Sequence, residues 1–264
     1  MNILIDSEVK AQLDPLIIQT IEFGSTLRGD RTAQSDRDFL HIIKNTPAML
    51  AAPVYTHHLL QYKNNNEDHI YCTVTSFVKG LIDGDSTVFI EILRSGRFRG
   101  SQELSTLHTY MDKFSTYRMA KALVGTAERD IRECSKLFSH DDYKSRKKYK
   151  FALMGLKMAF EVASERWPDA ALDWESYVPV VPDVRLSDAV ENLKHCNEIT
   201  QKLAILRRDL NALNEHDQRN KKPWMDPDFA YDIMNFTKYK NFWDLDKPVD
   251  KVMKVICTRA ANFE

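Results

Sequence analysis

The sequence predicts an α+β fold with two parts: an α+β domain over residues 1–104, followed by a mainly α-helical domain over residues 105–264. Three observations carry this. Residues 1–100 consist of short apolar runs separated by polar turns, the pattern of strands and their connections. Beyond them, apolar residues recur at steps of three and four with few glycines, the pattern of helices with one buried stripe. The run Phe39-Leu40-His41-Ile42-Ile43 is apolar at both parities, as an interior strand covered on both faces requires.

Taken in order, "SEVKAQLDPL" reads as a first helix capped by Ser7, and "IIQTIEF" as a strand ended by Gly24. "DFLHIIK" is a second strand. "VYTHHLLQYK" fits strand or helix, "NNNED" is a turn, and "DHIYCTV" is a third strand. "SFVKGLIDG" is a short helix with Gly84 as its C′ residue. "STVFIEIL" has no deciding period. In the second part three long helices stand out: "TYRMAKALVGTAERDIREC", "KSRKKYKFALMGLKMAFEVASERW", and "LSDAVENLKHCNEITQKLAILRRDLNAL" with its stripe from Leu186 to Leu213. The aromatic segment "PWMDPDFAYDIMNFTKYKNFWDL" reads as a helix docking the C-terminus onto the core.

Composition narrows the class. The N-terminal ten residues are charged rather than apolar, and no run of eighteen apolar residues occurs, so neither a signal peptide nor a membrane span is expected. With 37 basic and 38 acidic residues the net charge is −1, so any nucleic-acid surface must be local rather than global. The four cysteines, Cys72, Cys134, Cys196 and Cys257, form no C-x-x-C pair; they read as free thiols in a reducing, cytoplasmic compartment.

The chemistry concentrates in "IEFGSTLRGDRTAQSDRDFL", residues 21–40. Residues i and i+2 of a strand share a side, so Asp36 and Asp38 are expected to project together. Two adjacent carboxylates repel unless a cation lies between them, and hard divalent cations such as Mg²⁺ take oxygen ligands of this kind. Taken alone, a D-x-D at a strand start is more simply a turn former. Here Gly24-Ser25 precedes the pair, directly after an apolar strand. Glycine lets a backbone approach a ligand, and amides exposed at such a turn can hold an anion. A phosphate grip and a metal site one loop apart suit phosphoryl or nucleotidyl transfer, which is mostly positioning and charge neutralisation.

Gly24-Ser25, Arg28-Gly29, Ser35-Asp36 and Asp38 stand at the spacing G-S-x-x-R-G-x5-S-D-x-D. This resembles the signature of the DNA polymerase beta-like nucleotidyltransferase superfamily. The resemblance implies a small mixed sheet with helices, a G-S turn that holds the nucleotide phosphates, and a D-x-D pair that binds two metals with a third carboxylate on a neighbouring strand. Asp68, opening "DHIYCTV" beside Glu67, matches that third acid; Asp85 in "DGDS" is its rival, read more simply as a turn and N-cap. The block "DHIYCTVTSFVKGLIDGDSTVFIEIL" also resembles the RNA-repair-type subgroup, with Asp68 and Glu91 on matching positions. "KKYKFALMGLKMA" matches a later basic helix of that subgroup, with Met154 where a histidine is expected. The last hundred residues match no pattern.

The resemblance implies Mg²⁺ or Mn²⁺ held by Asp36, Asp38 and Asp68, an NTP (ATP favoured) held by Gly24, Ser25, Arg28 and Ser35, and transfer of its α-phosphate to an acceptor hydroxyl with Asp36, Asp38 and Asp68 catalytic. RNA is the favoured acceptor. Protein nucleotidylation (AMPylation) of a toxin–antitoxin type is a second reading, and a non-catalytic nucleotide- or RNA-binding module is a third. Arg37, between the aspartates, is expected in a structural ion pair. "KSRKKYK" (144–150), with Tyr143 and Tyr149, and "RNKKPW" (219–224) could line a groove for RNA, or be a solvated helix start and loop. His41 reads as a hydrogen-bonded core histidine. His57 and His58 are ligands only in the abstract.

Overall fold

The computed structural model describes residues 2–28, 31, 35–51, 59–84, 86–95, 102–137, 142–170, 172, 189–223, 225–238, 240–245 and 249–253. Gly29, His57, His58, Asp85, Leu186, Trp224 and Cys257, each given a reading above, lie outside them. The chain forms two compact units: one of Met1–Ile82, Val88–Met111 and Asp228–Glu264, the other of Asp83–Thr87 and Asp112–Pro227.

The first unit is mixed α+β. Its strands are β1 (Asn2–Leu4), β2 (Ile17–Phe23), β3 (Arg37–Ile43), β4 (Leu59–Asn64) and β5 (Glu67–Thr73), and the sheet runs in the order β1-β4-β5-β3-β2. β3 pairs β5 in parallel and β2 antiparallel; β5 pairs β4 antiparallel, and β4 pairs β1 in parallel. β3 is therefore interior, and its Leu40, His41, Ile42 and Ile43 are all buried, as the two-parity apolar run predicts.

Helices α1 (Ser7–Leu13), α2 (Ser25–Arg28), α3 (Pro47–Ala51), α4 (Val74–Asp83), α5 (Thr87–Ser95) and α6 (Gln102–Ser105) fall among or after these strands. The cap of α1 is Asp6 rather than Ser7: the Asp6 carboxylate accepts from the Glu8 and Val9 amides at 3.0 and 2.9 Å. A carboxylate at the positive end of a helix is the stronger acceptor. The undecided run at 86–93 is helical, with Phe89, Ile90, Ile92 and Leu93 of α5 buried.

One core cluster joins Ile3, Val9, Leu13, Leu16, Ile43, Met49, Leu60 and Tyr71 to Val249 and Val252, so residues near the C-terminus complete the core of the sheet unit. The fully buried Asn45 anchors the preceding segment. Its amide donates to the Phe242 carbonyl at 2.7 Å, its carbonyl accepts from Asp244 at 3.0 Å, and its side chain donates to the Thr237 carbonyl at 3.3 Å.

The second unit is helical: α7 (Tyr117–Leu137), α8 (Asp142–Arg166) and α9 (Ala189–Arg219), with α10 (Pro227–Phe236) following at the unit boundary. The buried stripes are Met119, Leu123, Val124, Ala127, Ile131 and Cys134 on α7; Tyr149, Ala152, Leu156, Ala159 and Ala163 on α8; and Cys196, Ile199, Leu203, Leu206 and Leu210 on α9. The small residues of α8 permit close approach to α7: a Cβ added at Gly155 would lie 3.0 Å from the Ala127 methyl. Past the end of that contact, Asp217 of α9 accepts from Arg166 at 2.9 Å and from the Trp167 indole at 3.0 Å. Among the described residues no helix is long and apolar enough to cross a membrane.

Candidate active site

The site is built where three strands of the first unit end or begin together. β2 runs apolar to Phe23, and Gly24 then takes φ +64°, a left-handed backbone that glycine adopts at no steric cost. α2 starts at once with Ser25, which is buried. Across the antiparallel pair, Phe23 stands opposite Asp38. The turn consequently folds Gly24 against the Asp38 side chain: a Cβ on residue 24 would run into the Asp38 carboxylate. Any other L residue would meet both that carboxylate and an unfavourable φ.

Asp38 is half-buried near the start of β3, and its register partner on the parallel strand β5 is Asp68. Residues in register on adjacent strands project from the same face of the sheet. The fold therefore sets Asp38 and Asp68 side by side, with Gly24 packed on the first. Asp68 carries positive and polar neighbours from β4: the Gln61 amide donates to both of its oxygens at 2.7 and 2.5 Å, and Lys63 Nζ lies 3.5 Å away.

Asp36 sits differently. β3 begins at Arg37, so Asp36 precedes the strand and is exposed. The same-face neighbour that the sheet provides for Asp38 is thus Asp68, not the residue two positions upstream. Ser35 is half-buried beside Asp36, and Arg28 closes α2. Among the described residues no three His, Cys, Asp or Glu side chains are gathered as a metal-holding group. The donor set that the sheet does assemble is two hard carboxylates, with the ammonium of Lys63 beside one of them. Those donors suit an oxygen-seeking divalent cation.

The other face of the same strands is a closed network. Arg37 donates through Nε to Glu22 Oε1 at 3.1 Å and through Nη2 to Oε2 at 3.3 Å, lies 3.6 Å from Glu67, and stacks over Phe39. The guanidinium of Arg37 holds the Glu22 carboxyl below its ordinary range. This is the structural ion pair expected of Arg37. His41 is the core histidine its position suggested: Nδ1 meets Thr20 Oγ1 at 2.9 Å and Nε2 meets His69 Nδ1 at 2.8 Å. Burial first, and the neighbouring His69 second, push His41 down to about 4.

Sequence reasoning missed Gln61, Lys63 and Glu22. The first two lie on β4, whose period left strand and helix open, so no register could assign them to Asp68. Of the proposed RNA groove, Tyr149 is buried and offers no stacking face, and Lys148 is engaged by Asp130 at 2.9 Å and Glu133 at 2.5 Å. Lys144, Arg146, Lys147 and Lys150 are exposed on α8, as are Lys221 and Lys222 after α9.

No family model matches the chain, and no curated protein matches it.

Proposed function

We propose that the chain is a metal-dependent nucleotidyltransferase that moves a nucleoside monophosphate from an NTP, ATP favoured, to an acceptor hydroxyl and releases pyrophosphate. One observation supports this reading above all: Asp38 and Asp68 lie in register on adjacent parallel strands, with the Gly24-Ser25 turn packed on Asp38. Two carboxylates brought together beside a glycine turn are an unfavourable arrangement for stability alone, since like charges in register repel. They are the donors that a site for Mg²⁺ or Mn²⁺ needs, with Asp36 one residue outside the strand as the third. When bound, the divalent cation supplies neutralisation of the triphosphate and acidification of the attacking hydroxyl.

The chain's own residues do the rest. The turn at Gly24 brings the start of α2 against Asp38, so a phosphate held at that start lies beside the acids that would hold the metal. Ser25 offers a hydroxyl at the start of α2, and Arg28 a guanidinium for the triphosphate. Asp68 takes the proton of the acceptor hydroxyl, and Gln61 holds its carboxylate in place through both oxygens. RNA is favoured as acceptor by the resemblance of residues 68–93, with the exposed lysines of α8 as phosphate contacts.

The test is labelled ATP and CTP with Mg²⁺ or Mn²⁺ in a whole-cell lysate. Label in RNA is the expected outcome; label in protein selects nucleotidylation of a protein hydroxyl; no label with either metal selects a non-catalytic module. With an acceptor in hand, Asp36→Ala combined with Asp38→Ala should abolish pyrophosphate release. Turnover of that double variant at the parent rate would refute the reading.

A further inference from the structure

In the helical unit two thiols face each other inside the α7–α9 packing. Cys134 Sγ and Cys196 Sγ are 3.6 Å apart, and their residues are 0% and 1% exposed. The pair is not a generic apolar filling. Ser145 of α8, itself fully buried, places its Oγ 3.4 Å from Cys134 Sγ and donates to the Cys134 carbonyl at 3.1 Å. Because that hydroxyl proton is committed to the carbonyl, the Ser145 oxygen is left to accept from the Cys134 thiol. The two sulfurs are also unequal. The contact between the sulfurs draws Cys134 below the ordinary thiol range against the opposing effect of burial, and the same contact, together with burial, raises Cys196. Two sulfurs 3.6 Å apart with a hydroxyl beside one of them form the arrangement of an attacking and a resolving cysteine.

We propose that Cys134 and Cys196 are a peroxide-oxidisable dithiol that closes to a reversible disulfide between α7 and α9. The sulfur of Cys134 attacks one oxygen of hydrogen peroxide, the O–O bond breaks, and the products are the Cys134 sulfenic acid and water. Cys196 sulfur then attacks the sulfenic sulfur, the S–O bond breaks, and a second water leaves with the Cys196 proton. Two thiols and one peroxide give one disulfide and two waters. Closing the present contact of 3.6 Å to an S–S bond of about 2.05 Å needs about 1.6 Å of sulfur displacement. Hydrogen peroxide is little larger than water and reaches buried thiols through local opening. The bridge would tie residues 62 apart in sequence, a long loop whose closure restricts the unfolded chain and stabilises the fold. Cys72, on β5 of the sheet unit, is the internal control and should keep its tag.

The experiment counts thiols. The folded full-length chain is treated with hydrogen peroxide, quenched, unfolded and alkylated with a mass tag, then mapped by peptide mass spectrometry. The expected result is loss of two tags and of two hydrogen atoms in mass, a linked peptide pair containing Cys134 and Cys196, and return of both tags on reduction. The oxidised protein should also melt several degrees higher than the reduced one. In Cys196→Ser, Cys134 should stop at a sulfenic acid that dimedone captures. Full tagging of Cys134 and Cys196 after peroxide, a different linked pair, or equal dimedone capture in parent and variant would each overturn the proposal. None of these outcomes depends on nucleotidyl transfer.

Discussion

The two faces of one sheet treat charge in opposite ways. On the face carrying Glu22, Arg37 and Glu67, the guanidinium on β3 stands between carboxylates of β2 and β5, each within 3.6 Å. On the face carrying Asp38 and Asp68, two acids stand in register, with Gly24 packed on the first and Lys63 3.5 Å from the second. The pair Arg37-Asp38 contributes to both, because successive residues of a strand point to opposite sides. The lesson is that charge pairing on one side of a strand leaves the other side free to collect like charges.

The sharpest way to break this comparison is to neutralise one acid of the second face. Asp68→Asn should lower pyrophosphate release by about 10²–10³-fold, the usual loss when a group that stabilises developing charge is removed. Stability should change by less than about 1 kcal/mol, because the lost contact to the exposed Lys63 is offset by relief of repulsion from Asp38. Steady-state pyrophosphate assay and chemical denaturation on the same sample separate the two. A large stability loss with intact activity would make Asp68 part of a structural network like that of the opposite face.

Next in size is the glycine. Gly24→Ala must adopt φ near +64° with its methyl against the Asp38 carboxylate. An alanine in that backbone region costs about 1 kcal/mol, and the clash adds about 1–2 kcal/mol more as the strand end shifts. Urea denaturation should show a loss of about 2–3 kcal/mol, together with a rise in KM for the NTP. Gly24→Ala combined with Asp38→Ala, which removes the obstructing carboxylate, should recover part of the stability and none of the activity.

Much of this face was legible before the structure. The strands β2, β3 and β5 follow from apolar runs between turn formers, and α7, α8 and α9 from their three-four stripes. The positions Gly24, Asp38 and Asp68 could be singled out because glycine after a strand and acids at strand starts are local signals. What brings them together is not local. The register of β3 against β5 depends on two segments separated by a loop, β4 and a turn, and nothing in the sequence counts across that gap. Asp36 lies one residue before β3, so the register that joins Asp38 to Asp68 does not extend to it. Gln61 and Lys63 could not be assigned until β4 was known to be a strand. The role of Val249 and Val252 in the core of the sheet unit is likewise set by packing between distant segments.

The smallest expected effect belongs to the paired face and comes from pH. His41 titrates at about 4 in the folded chain against about 6.5 unfolded, since burial and the adjacent His69 disfavour its charged form. Between these values the unfolded chain binds a proton that the folded chain refuses. The sign follows directly: stability is highest above about pH 6.5, falls as the pH drops toward 4, and levels off below. The full shift corresponds to an upper limit of about 3 kcal/mol. His41→Gln keeps a hydrogen-bonding side chain and removes the titration, so urea denaturation of this variant should show a shallower loss between pH 6.5 and 4 than the parent. Since Asp38 and Asp68 lie on the other side of the same strands, the variant should retain the parent's dependence of pyrophosphate release on divalent cation concentration. A change in that dependence would mean that the two faces are coupled through the strand, and the separation argued from parity would fail at the point where it is most local.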